Sequence, residues 1–418
     1  MAIKSLRTVL ILSTSLSGGG AETVARLMVE SIRGSRTLLF ENSAGIVIAE
    51  RNICAMGRGG AYGLIGKCLA NIWRVIVIQY TKIRVQPQVT ISHLEGPNFA
   101  NLLTKWGGRR LIFVHNRVSL NYQRDGLADR IKKLLVKLLY RRADFIFCVS
   151  SDICAELVDE FGVPADRADV MPNPIDIKSI VTNADRPYGD IRDEVCKQRY
   201  LISVASLTTQ KNHELLLKVF YELDRSPSIV PNLKLVLVGE GTERSRLQDL
   251  CLDLDLHMTS FDSDKFDLSA KIFFMGFQPN PYPLVREAEL FVMPSFWEGL
   301  PIALLEAMAL GVPSIVSNCS AGVRDTFDLS IVDLHQFKRE GFIRTPYGVL
   351  VKQSETKVRS SAVSLWADLI RMTVSDKDYL HQCRVETVKR VTKNDLSNVR
   401  IFWEQTFSVD DTSAITEL

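Results

Sequence analysis

A chain of 418 residues exceeds what one hydrophobic core serves, about 250–300 residues, so two domains are expected. Its composition, 46% apolar and 24% charged, is that of an ordinary globular protein, and a formal charge of +3 is too small to argue for a nucleic-acid partner. No stretch of about 18 uncharged apolar residues exists to span a membrane; Leu64–Tyr80 comes nearest and is interrupted by Lys67 and Arg74. The eight cysteines include no CxxC pair, and Cys148 and Cys251 have apolar neighbours, so reduced thiols of a cytoplasmic protein are expected.

Lys4 and Arg7 precede the apolar run Thr8–Leu12, which reads as a first buried strand rather than a signal peptide. In the first half, Thr8–Thr14, Thr37–Phe40, Val89–His93, Leu111–His115 and Phe145–Val149 are brief and β-rich, as buried parallel strands are. Between the first two, Val24, Leu27, Met28 and Ile32 keep helical spacing over Ala21–Arg33. The second half repeats the rhythm. Strands are predicted at Leu201–Ala205, Leu233–Val238, Ile272–Met275, Leu290–Met293, Ser314–Ser317 and Val349–Val351, with helices at Asn212–Leu223, Glu243–Leu254 and Pro301–Leu310. Met171–Tyr200 carries Pro172, Pro174 and Pro187 and few apolar runs, so it reads as a linker with an edge insertion, the domain boundary falling near Pro174–Asp176. The domains are then residues 1–175 and 176–394, with a helix at about 395–408 packing back on the first.

The segment Ser295–Gly311 holds the densest chemistry. A strand ends at Met293, a turn carries Glu298 and Gly299, and a helix follows with Pro301 at its first turn and Gly311 and Pro313 at its end. Ligands of open α/β sheets bind beyond the carboxyl ends of strands. The amides of Gly299, Leu300 and Ile302 at this helix start suit a phosphate. Glu306 lies about 12 Å further along the axis, too far from Glu298 for an acid–base dyad but suited to the other end of an elongated ligand.

With its E-x7-E spacing from Glu298 to Glu306, the run EGLPIALLEAMALGVP resembles the signature of retaining glycosyltransferases of family 4, which have the GT-B fold: two Rossmann-like doubly wound domains facing a cleft. The resemblance implies that the first glutamate contacts the donor sugar, the second the ribose hydroxyls, and the amides between them the diphosphate. Ile202–His213 is similar to the first strand and loop of the family's donor domain, with Lys211 as a phosphate contact. A flexible ammonium suits a departing diphosphate whose charge grows as the bond breaks. Ala205-Ser206 stands where the family usually has Gly-Arg, so one phosphate cation is missing; Lys211 then acts alone or with another cation, and Ser206 still offers a hydroxyl. Gly239-Glu240-Gly241 resembles a G-x-G turn, and Gly276-Phe277 a position that meets the base. Asp262-Ser263-Asp264 spells a DxD in a polar loop without other ligands and is read as chance, so neither metal nor cofactor is expected.

In the first half, Gly18-Gly19-Gly20 follows the first strand and resembles the family loop that approaches donor and acceptor; Gly19 and Gly20 are assigned to it. His115, at the end of its strand, is the candidate catalytic histidine with Glu298 and Lys211, and His93-Leu94-Glu95-Gly96 is a second candidate. Charge is concentrated between Lys105 and Arg142: eleven Lys or Arg against two Asp, a net of +9. Leu127, Ile131, Leu134, Leu135 and Leu138 form one helical face there, flanked by Arg130, Lys133, Lys137 and Arg141, the pattern of a helix lying on an anionic membrane surface. Interleaved aromatics are lacking, so nucleic acid is not the expected partner.

The reading is a cytoplasmic transferase, peripheral on the inner face of the membrane. It moves a sugar from a UDP or GDP donor to a glycan or lipid-linked acceptor with retention, in cell-surface polysaccharide or glycolipid assembly. The alternative is a non-catalytic nucleotide-sugar-binding or scaffold relative in a polysaccharide-assembly complex.

Overall fold

The computed structural model describes residues 8–16, 19–32, 34–41, 53–56, 64–122, 126–171, 173–225, 231–263, 265–329, 337, 339–353 and 358–408. They group into two compact units. One runs to Ile175 and regains the chain from Leu396; the other is Asp176–Asp395.

The first unit is built on a parallel sheet of seven strands: β1 (Val9–Ser13), β2 (Arg36–Leu39), β3 (Ile53–Ala55), β4 (Val89–His93), β5 (Arg109–Val114), β6 (Phe145–Cys148) and β7 (Ala168–Val170). Their order is β3-β2-β1-β4-β5-β6-β7, and every pairing is parallel. Strands such as VLILS and FIFC are buried along their whole length because a parallel sheet is covered on both faces. Side chains alternate between two cores. Val9 and Ile11 join Ala25 and Met28 of helix α1 (Gly20–Ser31), whereas Leu10 and Leu12 join Ile78 of α2 (Leu64–Val85) and Ala100 of α3 (Glu95–Leu103). Helices α4 (Val118–Asn121), α5 (Leu127–Leu139) and α6 (Ser151–Asp159) complete the crossovers. The helix Leu396–Ser408 returns to this unit: the Leu396 amide donates to the Ile175 carbonyl at 2.8 Å, and Trp403 is wholly buried in the β1–α1 core.

The second unit carries eight strands: β8 (Arg199–Val204), β9 (Leu233–Val238), β10 (Met258–Ser260), β11 (Ile272–Gly276), β12 (Leu290–Met293), β13 (Ser314–Asn318), β14 (Phe342–Thr345) and β15 (Gly348–Lys352). Their order is β10-β11-β9-β8-β12-β13-β15-β14, parallel except for β14. The sequence reading misses β3, β7, β10 and β14, four short edge or near-edge strands without a continuous apolar run. It also reads Met171–Tyr200 as linker and insertion, but part of that stretch folds as α7 (Ile177–Ala184) and α8 (Ile191–Cys196). Ile180, Ala184 and Val195 are buried, and both helices pack against α11 (Tyr282–Arg286). Asp176 and Asp190 cap them by accepting from the amides of Ser179 and Arg192. The remaining helices near the site are α9 (His213–Asp224), α10 (Arg244–Asp253), α12 (Ile302–Ala309) and α13 (Ala321–Thr326).

The central reversal of strand order falls between β1 and β4 in the first sheet and between β8 and β12 in the second. Crossovers leave such neighbours on opposite faces, so the loops after them splay apart and open a crevice at the carboxyl edge.

Trp403 seals the first core from a helix that arrives after the whole second unit. Trp403→Ala is expected to cost about 3–5 kcal/mol, read as a lower urea midpoint for the transition that reports the first unit.

Candidate active site

The functional side chains of the second unit follow the carboxyl ends of adjacent strands. Ser206 follows β8, Gly239 follows β9, Phe277 follows β11, Glu298 follows β12 and Cys319 follows β13. The chain after β8 turns through a short 3-10 segment, Thr209–Lys211, and Asn212 then takes a left-handed conformation (φ 53°) before α9 begins. Two bonds stitch this loop to the segment after β12: the Phe296 amide donates to the Gln210 carbonyl at 2.8 Å, and the Gln210 side chain donates to the Trp297 carbonyl at 2.7 Å. Asn212 donates from its side chain to the buried Pro294 carbonyl at 3.2 Å.

This stitching delivers Lys211 to Glu298. The ammonium contacts both carboxylate oxygens, at 2.6 and 2.9 Å, with the side chains only 19% and 7% exposed. Sequence reading assigned the two residues separate tasks; the structure makes them one buried ion pair at the strand-order reversal. Two neighbours register the burial. The Cys319 thiol is pushed up to about 12, by desolvation first and then by the Glu298 charge. His213 is held down to about 4 by burial and by the Lys211 charge.

The turn after Glu298 is equally constrained. The Ser320 hydroxyl donates to the Gly299 carbonyl at 2.8 Å and accepts from the Val323 amide, capping α13. Gly322 lies so close that a Cβ there would sit 2.5 Å from the Gly299 carbonyl oxygen. Gly299, Leu300 and Pro301 are buried, Pro301 is the N-cap of α12, and Ile302 opens the helix. Gly311 (φ 71°) closes it with a Schellman pair, Gly311 N–H to Met308 O and Val312 N–H to Ala307 O. Glu306 is half-buried, and its Oε1 accepts from the Tyr282 hydroxyl at 2.9 Å. Ser206 is exposed and Phe277 is 61% exposed beside Gly276 (φ 65°), whose carbonyl accepts from the Gly239 amide. Of the DxD, Asp262 is paired with Arg244 at 2.5 Å, and Asp264 lies outside the described residues.

In the first unit the structure joins the two histidines. His93 Nδ1 and His115 Nε2 are 3.2 Å apart, and both rings stack on Phe113. Burial keeps both neutral: His93 is held well below the usual range and His115 at about 4. The loop after β5 is fixed by two carboxylates: Glu95, which sequence reading names only within the candidate run His93–Gly96, and Glu156, which it does not single out. Buried Glu156 accepts from the amides of Val118 (2.7 Å) and Ser119 (3.1 Å), and Glu95 accepts from the Tyr122 hydroxyl. Their only sequence signal is a carboxylate in the first turn of α3 and one on the inner face of α6. Gly19 is the exposed N-cap of α1, Gly20 its first residue, and Gly18 lies outside the described residues.

Two parallel α/β units, each with polar side chains at the carboxyl edge beside its strand-order reversal, are the architecture of GT-B transferases. Solved structures share this fold across the chain: Anabaena HepE in complex with UDP and glucose (TM-score 0.72, 15% identity, covering 96% of this chain and 99% of that one) and WaaG, a glycosyltransferase involved in lipopolysaccharide biosynthesis (0.68, 14%, 96% and 99%). Residues 18–179 match the model of Glycosyltransferase Family 4 and residues 191–331 that of Glycosyl transferases group 1. The chain thus carries one region matching each of these two glycosyltransferase domain models. Among curated relatives, an N-acetylgalactosaminyltransferase of Campylobacter jejuni acting on a diphospho-undecaprenol-linked sugar is 27% identical over 56% of this chain and 58% of its own length. An Escherichia coli UDP-Gal:alpha-D-GlcNAc-diphosphoundecaprenol alpha-1,3-galactosyltransferase is 25% identical over 55% and 58%. The match thus spans a little under three-fifths of these relatives' length.

Two outcomes test the site. Lys211→Met leaves Glu298 buried without its cation and is expected to destabilise the second unit by about 3–5 kcal/mol, much of it restored in Lys211→Met/Glu298→Gln; urea titration measures both. For His213 the unfolded chain takes up a proton near pH 6.5 and the folded chain only near 4, so stability present above 6.5 is lost as pH falls through that window. The full loss from this one group is roughly 3 kcal/mol, and His213→Asn is expected to flatten that part of the pH profile of unfolding.

Proposed function

We propose that this chain transfers a sugar from a nucleoside-diphosphate donor to an acceptor hydroxyl, with retention, in the assembly of a lipid-linked or cell-surface glycan. The observation that carries the reading is the Lys211–Glu298 pair, buried at the strand-order reversal and immediately before the start of α12. A diphosphate needs a cation and oriented amides, and a departing sugar that develops positive charge needs a nearby carboxylate. One ion pair at a helix start supplies all three.

In this reading Lys211 and the amides of Gly299, Leu300 and Ile302 hold the diphosphate, Pro301 sets the direction of the helix, and Ser206 offers a hydroxyl where an arginine is missing. Glu298 faces the sugar and Glu306, oriented by Tyr282, takes the ribose hydroxyls. Phe277 meets the base; its exposure supports that assignment. In the first unit, Gly19, Gly20 and His115 serve the reacting sugar and the acceptor. His115 is neutral and buried, which supports orientation of a hydroxyl rather than strong-base catalysis. The donor carries its own activated bond, so no cofactor is invoked. Relatives that act on diphospho-undecaprenol-linked sugars support a lipid-linked acceptor, and UDP in the HepE structure supports a UDP donor, with a GDP sugar as the other choice. We place the protein in the cytoplasm, peripheral on the inner membrane face through the basic segment 105–142. Among the described residues no helix is long and apolar enough to cross a membrane.

The test is release of UDP or GDP from a panel of nucleotide sugars, with and without membrane lipid extract. Release that rises with the extract is expected, and binding of every donor without release overturns the reading. Glu306→Ala is expected to raise the donor KM about tenfold with a smaller change in kcat, as loss of a ground-state hydrogen bond does. Retention is read from the anomeric signal of the product by NMR.

A further inference from the structure

The two histidines of the first unit constrain each other beyond their shared burial. His93 ends β4, and His115 follows β5, the strand beside it. Phe113, in register with His93, lies against both rings, with centroids 4.6 and 6.2 Å away, and the three planes agree within 20–26°. The edge of one imidazole is thereby held at the edge of the other, with His93 Nδ1 3.2 Å from His115 Nε2. The outer nitrogens, His93 Nε2 and His115 Nδ1, are buried and have no partner among the described residues. The backbone holds this arrangement under strain. Leu94, next after His93, stands at φ 70° and ψ 158°, a region that residues other than glycine rarely enter. Such strain collects at functional sites.

A neutral imidazole carries one proton, on one of its two nitrogens. Burial keeps both rings neutral, so the bond between them needs a proton on one facing nitrogen and a lone pair on the other. Only two assignments meet this, and each gives the rings the same tautomer. If His93 donates from Nδ1, its Nε2 is bare, and His115, accepting at Nε2, carries its proton on Nδ1. If His115 donates from Nε2, its Nδ1 is bare, and His93 carries its proton on Nε2. Burial chooses between them. A sealed N–H without an acceptor is a rarer orphan in folded proteins than an unused lone pair. The second assignment strands such an N–H on His93, which is wholly buried. The first strands only a lone pair there. It puts the N–H on His115, which alone of the two reaches the surface, 8% exposed at the carboxyl edge. There an oxygen of a bound ligand can accept it.

We propose that His93 is a positioning residue that locks His115 as its Nδ1–H tautomer, so that His115 presents a fixed hydrogen-bond donor to an oxygen of the bound sugar and keeps no free lone pair to serve as a base. This rests on the transferase reading, in which His115 serves the reacting sugar, and adds the residue that decides what His115 can do there.

The test has a spectroscopic arm and a kinetic one. Long-range proton–nitrogen NMR correlation of the full chain with isotope-labelled histidine, at neutral pH, reads the tautomer of each ring. Signals are assigned by their loss in His93→Phe and His115→Gln. The wild type is expected to show Nδ1–H and a bare Nε2 on both rings. His93→Phe keeps the stack on Phe113 but donates nothing. His93→Asn leaves a gap, yet places an amide N–H near where Nδ1 stood. Positioning predicts that the asparagine variant is the less stable in urea and the more active. In His93→Phe, kcat for nucleoside-diphosphate release is expected to fall about tenfold with KM little changed, as loss of one transition-state hydrogen bond does; in His93→Asn it stays within about threefold of wild type. His115 is expected to gain an Nε2–H population in His93→Phe and to keep Nδ1–H in His93→Asn. A merely space-filling His93 predicts the opposite order of activity, phenylalanine above asparagine, and that order overturns the proposal. So does a wild-type His115 with its proton on Nε2. The two readings fail separately. The expected tautomers in a protein that releases no nucleotide from any donor sink only the transferase, and normal release with Nε2–H on His115 sinks only the lock.

Discussion

The second unit depends on keeping one lysine and one glutamate together out of water. Desolvating two charges costs more than a surface pair returns, so such a pair persists only where surrounding bonds fix both partners. Here Gln210 and Asn212 tie the lysine's loop to the backbone that carries the glutamate, and Ser320 and Gly322 pin the turn beyond it. Strand order makes this possible: β8 and β12 are neighbours whose crossovers diverge, so their carboxyl-end loops meet each other rather than a covering helix. A cation, a carboxylate and a helix start held at one point are what a charged, breaking phosphate–sugar bond requires, which is why the proposed sugar transfer is placed here.

The first unit uses a different device. Its histidines are desolvated instead of paired with acids, so they stay neutral across the physiological range and their hydrogen bond is one between two imidazoles. The nearby carboxylates Glu95 and Glu156 are spent on holding the loop after β5. The same unit turns its α2–α3–α5 layer outward with basic and apolar side chains and little acid.

Much of the fold was legible because buried parallel strands are continuous apolar runs. Leu233–Val238 and Leu290–Met293 match the observed strands end to end. Edge strands such as Ile53–Ala55 and Phe342–Thr345 were not legible, because a strand paired on one side and three or four residues long leaves no pattern that distinguishes it from loop. Helix α7 was missed because two prolines nearby outweighed the helical spacing of Ile177, Ile180 and Ala184. Helix α2 was judged as a bilayer span and failed for its charges. Its two sides are told apart only when burial separates Ile78 and Lys82 from Ile72 and Ile76.

The sequence by itself determined two α/β domains and the strand–turn–helix holding Glu298 and Glu306, because each is a local pattern of periodicity, turn residues and spacing; Lys211 entered only through resemblance to the family, as a phosphate contact. Tertiary structure decided that Lys211 reaches Glu298, that His93 reaches His115, that Tyr282 holds Glu306, and which side of α2 faces out. These are meetings of residues 22 to 87 positions apart, set by which strands lie side by side, and strand adjacency is a property of the whole sheet that no local pattern encodes.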